Sequence, residues 1–333
     1  MTITRVKLSF TKVWLPILLL VYLHRVGASQ GENAWEWIIS RLTELDGPAF
    51  RDQVASSLVQ MSANAYRYPD TATVDIPSWV LSSKVMPIAP AGGGVHAQVY
   101  EEENGGADGR IVVAFRGTQI GKTIDCDADL CADARLWETP GREKCPPPAG
   151  MCEKFDDATL DYLSQAVQYT QKALDAYPST SLLLTGHSLG AGLAVLVSAS
   201  LSAKHGAIPV IAFSAVGTRT ALQVRNLTLD AEHRKKIIII ANQWDEVMRT
   251  SWDDQLGLLC LYKTTLNSYC EKCFESPTCA FDAVSTGRSM VEVEGVSSAN
   301  NSNCKRCFLT THYLAKVMDI IQKGTQPTCE FIA

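Results

Sequence analysis

Apolar positions recur with helical spacing at residues 33–45 and 52–66, and Gly47-Pro48 separates the two runs. The rhythm then changes. Residues 95–100 and 110–115 read as strands on either side of Asn104-Gly105-Gly106, a hairpin-like turn, and Arg116-Gly117-Thr118 closes the second. From 119 to 151 no clean period survives, and four cysteines flank or occupy a Pro- and Gly-bearing stretch that includes Pro146-Pro147-Pro148. A long, braced loop is expected there. Helical period returns at 155–176, followed by a short apolar strand at 181–185 and a small-residue helix at 189–203. Strands at 209–215 and 237–242 follow, with a helix end at 231–236 and a last helix at 313–322. Strands alternating with helices predict an α/β fold, a mostly parallel central sheet with helices on both faces. No internal repeat or low-complexity linker divides this pattern, so residues 29–333 read as one domain with a Cys-rich insertion at 260–307.

The first 28 residues stand apart. Arg5, Lys7 and Lys12 precede an apolar run of eleven at 13–23, and Val26-Gly27-Ala28 offers small residues for cleavage before Ser29. Eleven residues fall well short of the ~20 that a membrane-spanning helix needs. Residues 1–28 are therefore expected to be a secretory signal peptide, with an uncleaved anchor as the alternative. Its removal takes away Arg5, Lys7, Lys12 and Arg25 and no acids, moving the net charge from −5 to −9. With 20% charged residues and no basic block, the chain lacks the electrostatic footprint of a nucleic-acid binder. Its 46% hydrophobic content is that of a globular chain.

All 11 cysteines lie beyond residue 125. In a secreted chain they are expected to pair as disulfides, and the odd count leaves at least one thiol or an intermolecular bridge. Cys270-x-x-Cys273 and Cys304-x-x-Cys307 superficially match a four-thiolate zinc site, but the 30 residues between them exceed the usual ribbon spacing. Disulfides are the preferred reading, and no metal or cofactor is expected. Asn226-Leu227-Thr228 and Asn300-Asn301-Ser302 are glycosylation sequons, in keeping with a signal peptide.

Chemistry enters at Gly186-His187-Ser188-Leu189-Gly190, a G-x-S-x-G sequence with a buried strand before it and a small-residue helix after it. Strand, sharp turn and helix are the setting of a nucleophile elbow in an α/β-hydrolase fold. Gly186 and Gly190 allow strand and helix to approach closely, so that Ser188 Oγ is expected to stand exposed at the helix N-terminus. A serine hydroxyl needs a base, and in this fold the order is Ser, acid, His. Asp245 falls just past the apolar strand 237–242, where catalytic groups collect, with Asp253 and Asp254 as fallbacks. Of the three later histidines, His205 reads as a helix end and His233 as part of a solvated helix face, which leaves His312 as the base. The oxyanion needs backbone donors: one from Leu189, and a second from the turn after an earlier strand, where Thr118 can also donate its hydroxyl.

Ala114-Phe115-Arg116-Gly117-Thr118, followed by the stretch from Thr185-Gly186-His187-Ser188-Leu189-Gly190 to Ala194, resembles the class 3, fungal-type lipase family of α/β hydrolases. The resemblance extends loosely from Ser56 to Met318. It implies hydrolysis of acylglycerols or related lipids through Ser188, Asp245 and His312, with Thr118 and Leu189 as oxyanion donors. It also places a lid at 119–151, where Leu136 and Trp137 beside Arg135 would form an amphipathic patch meeting a lipid surface. The cysteines before the elbow and after the acid, with Thr311-His312, look more like the autophagic vacuolar lipases within that family. Ala191 stands where many members carry glycine, and Met248 where a proline often follows the acid.

The sequence thus predicts a serine carboxylic-ester hydrolase acting on acylglycerols or phospholipids, secreted or in a vacuole- or lysosome-like lumen. Its partners would be the ester substrate and, transiently, a lipid interface, and no oligomeric state is assigned. A soluble esterase on small or carbohydrate-linked acyl groups is the alternative within enzymes. From another class, a lipase-like fold can serve as a catalytically silent scaffold. A serine peptidase on this fold fits Arg116-Gly117-Thr118 less well.

Overall fold

A computed structural model describes residues 55–105, 109–119, 124–137, 150–275, 298–323 and 327–332. The signal segment, the helix expected at 33–45, Cys145 and Cys279 lie outside these residues. In chain order the elements are α1 (Ser56–Arg67), β1 (Trp79–Leu81), β2 (Ala97–Glu102), β3 (Arg110–Phe115), α2 (Ile124–Trp137), α3 (Asp157–Leu160), α4 (Tyr162–Ala176) and β4 (Ser181–His187). There follow α5 (Leu189–His205), β5 (Val210–Phe213), α6 (Arg219–Val224), α7 (Ala231–Lys235), β6 (Ile237–Asn242) and α8 (Glu246–Thr250). The last are β7 (Gly257–Tyr262), α9 (Ser268–Glu275), α10 (Ser298–Thr311), α11 (Leu314–Gln322) and β8 (Pro327–Ile332).

The eight strands lie in one sheet in sequence order. The run β3 to β7 is parallel, and antiparallel β1, β2 and β8 extend its two edges. Right-handed crossovers between successive neighbours all fall on one face when the strand order never reverses. Two separate cores follow from this. Ile111, Val113, Phe115, Leu182, Leu184, Ile237 and Ile239 face a core shared with α4 and α5. Their alternates Val112, Ala114, Leu183, Ile238 and Ile240 face α1 and α11, which come before and after the crossovers in the chain. Burial on both faces explains why these strands read as unbroken apolar runs.

Several elements depart from the sequence pattern. Residues 119–151 are not all loop: α2 is a 14-residue helix, held to residue 152 by the Cys131–Cys152 disulfide. The helix expected over 155–176 is divided, because Asp156 caps α3 and the Asp161 side chain restarts the helix by accepting from the Ser164 amide. Strands β1, β7 and β8 were not legible, and β8 joins β7 through paired Cys260 and Cys329, which form a disulfide. Cys270 bonds to Cys307, linking α9 to α10, and Cys273 is also oxidised, which removes thiolates that a zinc site would need. Asn226 of the first sequon is exposed after α6.

Buried polar links tie helices to the sheet. His233, expected on a solvated face, is buried, and its Nε2 lies 2.6 Å from Ser198 Oγ, whose own proton goes to the Ile208 carbonyl. The His233 ring is therefore a donor that pins α7 to α5. At the end of β3, Arg116 contacts His96, Gln119 and both oxygens of Asp129 on α2. Asp129 also accepts from the Tyr162 hydroxyl at 2.7 Å and the Gln119 amide at 2.8 Å.

Two predictions follow from these links. Burial lowers the pKa of both His96 and His233 to about 4, from an ordinary 6.5. Between these values the unfolded chain binds more protons than the folded one, so stability declines as pH falls from 6.5 toward 4. Thermal denaturation across that window should show the decline, and His233→Gln should flatten it; equal slopes in both proteins would contradict the assignment. Second, Asp129→Asn leaves the buried Arg116 charge uncompensated, so urea unfolding should show a loss of about 3–5 kcal/mol.

Candidate active site

The elbow is shaped by backbone packing. Ser188 follows β4 with φ 56° and ψ −123°, and α5 begins at the next residue. Such angles in a residue with a side chain persist only where the surroundings over-determine them. The Ser188 amide donates to the Phe213 carbonyl at 3.0 Å, and its own carbonyl accepts from Ala191 and Gly192. A Cβ on Gly190 would lie 2.4 Å from the Phe115 carbonyl oxygen and 2.6 Å from that of Arg116. Only glycine lets α5 start this close to the end of β3.

Three residues far apart in sequence meet at this point. His312 Nε2 is 2.9 Å from Ser188 Oγ, and His312 Nδ1 is 3.0 Å from each carboxylate oxygen of Asp245. Asp245 caps α8, its Oδ1 accepting from the amides of Val247 and Met248. A carboxylate only accepts, so the Nδ1 proton points at Asp245 and neutral Nε2 is left to accept from the serine hydroxyl. Asp254, the fallback acid, instead accepts from Thr220 Oγ1 at 2.5 Å, and Asp253 is exposed. His205 sits at the surface on Gln171.

Ser188 is not exposed as expected. Only 4% of its surface is accessible, with His312 on its hydroxyl and Gly117 of the β3 end packed against it. Phe308 stacks 4.6 Å from the His312 ring, centroid to centroid, and packs with Val247 as an apolar wall.

Thr118 lies at the end of β3, but its hydroxyl donates to Asp133 Oδ2 at 2.5 Å rather than standing ready for an oxyanion. Trp137 Nε1 donates to the other oxygen of the same carboxylate. This corrects one detail of the 119–151 reading. Leu136 and Trp137 form no surface patch: both are buried, with the Trp137 ring over Gly192 of α5. Trp137 lies four residues after Asp133, so the helix face that turns Asp133 inward carries the indole in with it. Arg135 points outward and pairs with Asp157 at 2.8 Å.

Sequence reasoning missed Tyr66, Asp129, Asp133 and the part played by the His187 ring. A signal existed for the acids: Asp125, Asp129 and Asp133 recur every four residues, one face of a helix. The Tyr66 hydroxyl lies 2.8 Å from His187 Nδ1, and His187 Nε2 lies 2.8 Å from the His312 carbonyl oxygen. Burial, with His312 beside it, holds the His187 pKa well below its ordinary value. Among the described residues, no group of His, Cys, Asp and Glu could hold a metal ion.

Residues 112–254 match the model of the class 3 lipase family. Among solved structures, the Lip2 lipase of Yarrowia lipolytica is 12% identical, with a TM-score of 0.40 over 65% of this chain and 80% of that one. A triacylglycerol lipase from Penicillium expansum is 16% identical, with a TM-score of 0.36 over 65% and 80%. A Rhizomucor miehei lipase in complex with its propeptide is 17% identical, with a TM-score of 0.36 over 64% and 68%. The matched stretch contains the end of β3, the elbow around Ser188 and Asp245, and over it the chain is similar to the class 3 lipases.

Proposed function

We propose that this chain, similar to the class 3 lipases, hydrolyses carboxylic esters through an acyl-enzyme on Ser188, with His312 as general base and Asp245 as its orienting acid. The reading is carried by the continuous hydrogen-bond path from Ser188 Oγ through both His312 nitrogens to Asp245. Ser188 Oγ attacks the ester carbonyl as its proton passes to His312 Nε2. The resulting oxyanion is held by the amides of Leu189 and Thr118, the former in the first turn of α5, where amides have no partner within the helix. Collapse expels the alcohol, which takes the proton from His312. Water then repeats the attack on the acyl group and releases the acid.

Acylglycerols or phospholipids are the proposed substrates, with lipid interfaces as transient partners. The apolar wall of Val247 and Phe308 beside the base supports an acyl-binding site. The buried positions of Leu136 and Trp137 fit either reading, a closed cover over the site or a fixed brace in a soluble esterase. Three described disulfides fit an oxidising compartment. We place the mature chain, from about Ser29, in the secretory pathway, outside the cell or in a vacuole-like lumen.

Ser188→Ala should reduce esterase activity to a trace while the melting temperature holds, and retained turnover would remove the assignment. Asp245→Asn should lower kcat about 10⁴-fold, whereas Asp254→Asn should leave it close to wild type. The substrate class is read from rate against concentration for esters of increasing chain length, carried through the point of phase separation. A lipase shows a rise there, and a smooth hyperbola over that range identifies the soluble esterase.

A further inference from the structure

We propose that His187 and Tyr66 position the catalytic base, through a hydrogen-bond chain running from the Tyr66 hydroxyl by way of the His187 imidazole to the main-chain carbonyl of His312. The inference rests on the hydrolase reading above and extends its machinery by two residues that do not touch substrate.

The direction of every bond in the chain is fixed. The His312 carbonyl only accepts, so His187 carries its proton on Nε2. Neutral Nδ1 must then accept, so the Tyr66 hydroxyl donates to it. The Tyr66 oxygen packs against the backbone of Gly117. A Cβ on Gly117 would lie 2.3 Å from that oxygen, so glycine is what admits the hydroxyl.

The chain answers a specific need. His312 lies just beyond the end of α10, where carbonyls have no helical partner. Its amide is held by Phe308, but its carbonyl needs a donor from elsewhere, and His187 supplies one from the residue next to the nucleophile. One imidazole thereby ties the base, 125 residues away in sequence, to the elbow, and the Tyr66 hydroxyl, packed against Gly117 beyond the end of β3, fixes the same ring. With its surroundings holding it neutral, the His187 ring, 4.8 Å from that of His312, adds no charge beside the imidazolium that forms during attack.

Positioning and simple space-filling predict different kinetics. His187→Leu fills much of the space and donates nothing, whereas His187→Gln can place an amide N–H where Nε2–H stood. His187→Leu should lower kcat about 10- to 100-fold with KM little changed, while His187→Gln should keep most of the activity. Tyr66→Phe should lower kcat by a smaller factor, and combined with His187→Leu it should add nothing, because both act through one chain. Equal kcat in the Leu and Gln variants, a loss confined to KM, or additive losses in the double variant would each overturn the inference. Should His187→Leu fail to fold, Tyr66→Phe decides, and wild-type kcat in that variant would overturn it. Wild type and Ser188→Ala run alongside separate the two levels. An inactive wild type removes the hydrolase reading and this inference together, whereas an active wild type and a dead Ser188→Ala leave the hydrolase reading standing whatever His187 does.

Discussion

The carbonyl oxygens of Phe115 and Arg116 come so near Gly190 that a methyl group there would overlap both, and this contact between the end of β3 and the start of α5 governs the site. It helps to hold Ser188 in its unfavourable backbone angles, and Gly117, two residues past β3, packs against Ser188. Contacts of this closeness admit no continuous adjustment, since packed backbone has nowhere to relax. The positions of the proposed nucleophile and oxyanion donors are thus set by main chain, and the proposed base and acid arrive from elsewhere. Asp245 arrives on the end of β6, parallel to the elbow strand and two strands away, so the sheet itself fixes its distance. His312 arrives on a helix end outside the sheet, and it is the member that needs additional fastening.

That difference is visible in what the sequence disclosed. The parallel strands were legible because both their faces are buried, which leaves unbroken apolar runs, and 110–115 and 237–242 match the observed strands residue for residue. That Ser188, Asp245 and His312 come together was legible because chain order and strand ends constrain them. Less visible were elements whose burial is polar or partial. Helix α2 carries aspartates and cysteines on its inner face, so its apolar period is erased although its acidic period survives. Strand β8 is mostly exposed at the sheet edge and has no apolar pattern. Cross-chain bonds such as Tyr66 to His187 leave no local mark, because a tyrosine in an amphipathic helix looks like any other core residue.

Helix α2 changes the meaning of the segment between β3 and α3. Its carboxylates hold Arg116, the Gln119 amide and the Thr118 hydroxyl, and its indole packs on the elbow helix. The described part of this segment therefore acts as a brace behind the end of β3, and the Cys131–Cys152 disulfide anchors the brace. Opening of the site to a bulky ester has to come from movement that leaves those bonds in place or exchanges them for others.

The central claim is that Ser188 becomes acylated, and it is tested most directly by trapping the nucleophile. A p-nitrophenyl alkylphosphonate should form a bond from Ser188 Oγ to phosphorus, with p-nitrophenolate leaving and the serine proton passing to His312. Intact-mass measurement and peptide mapping should then find one phosphonyl group per chain, on the peptide holding Gly186 to Gly190, and none on Ser188→Ala. A folded wild-type protein that stays unlabelled, or one labelled at another residue, would contradict the account.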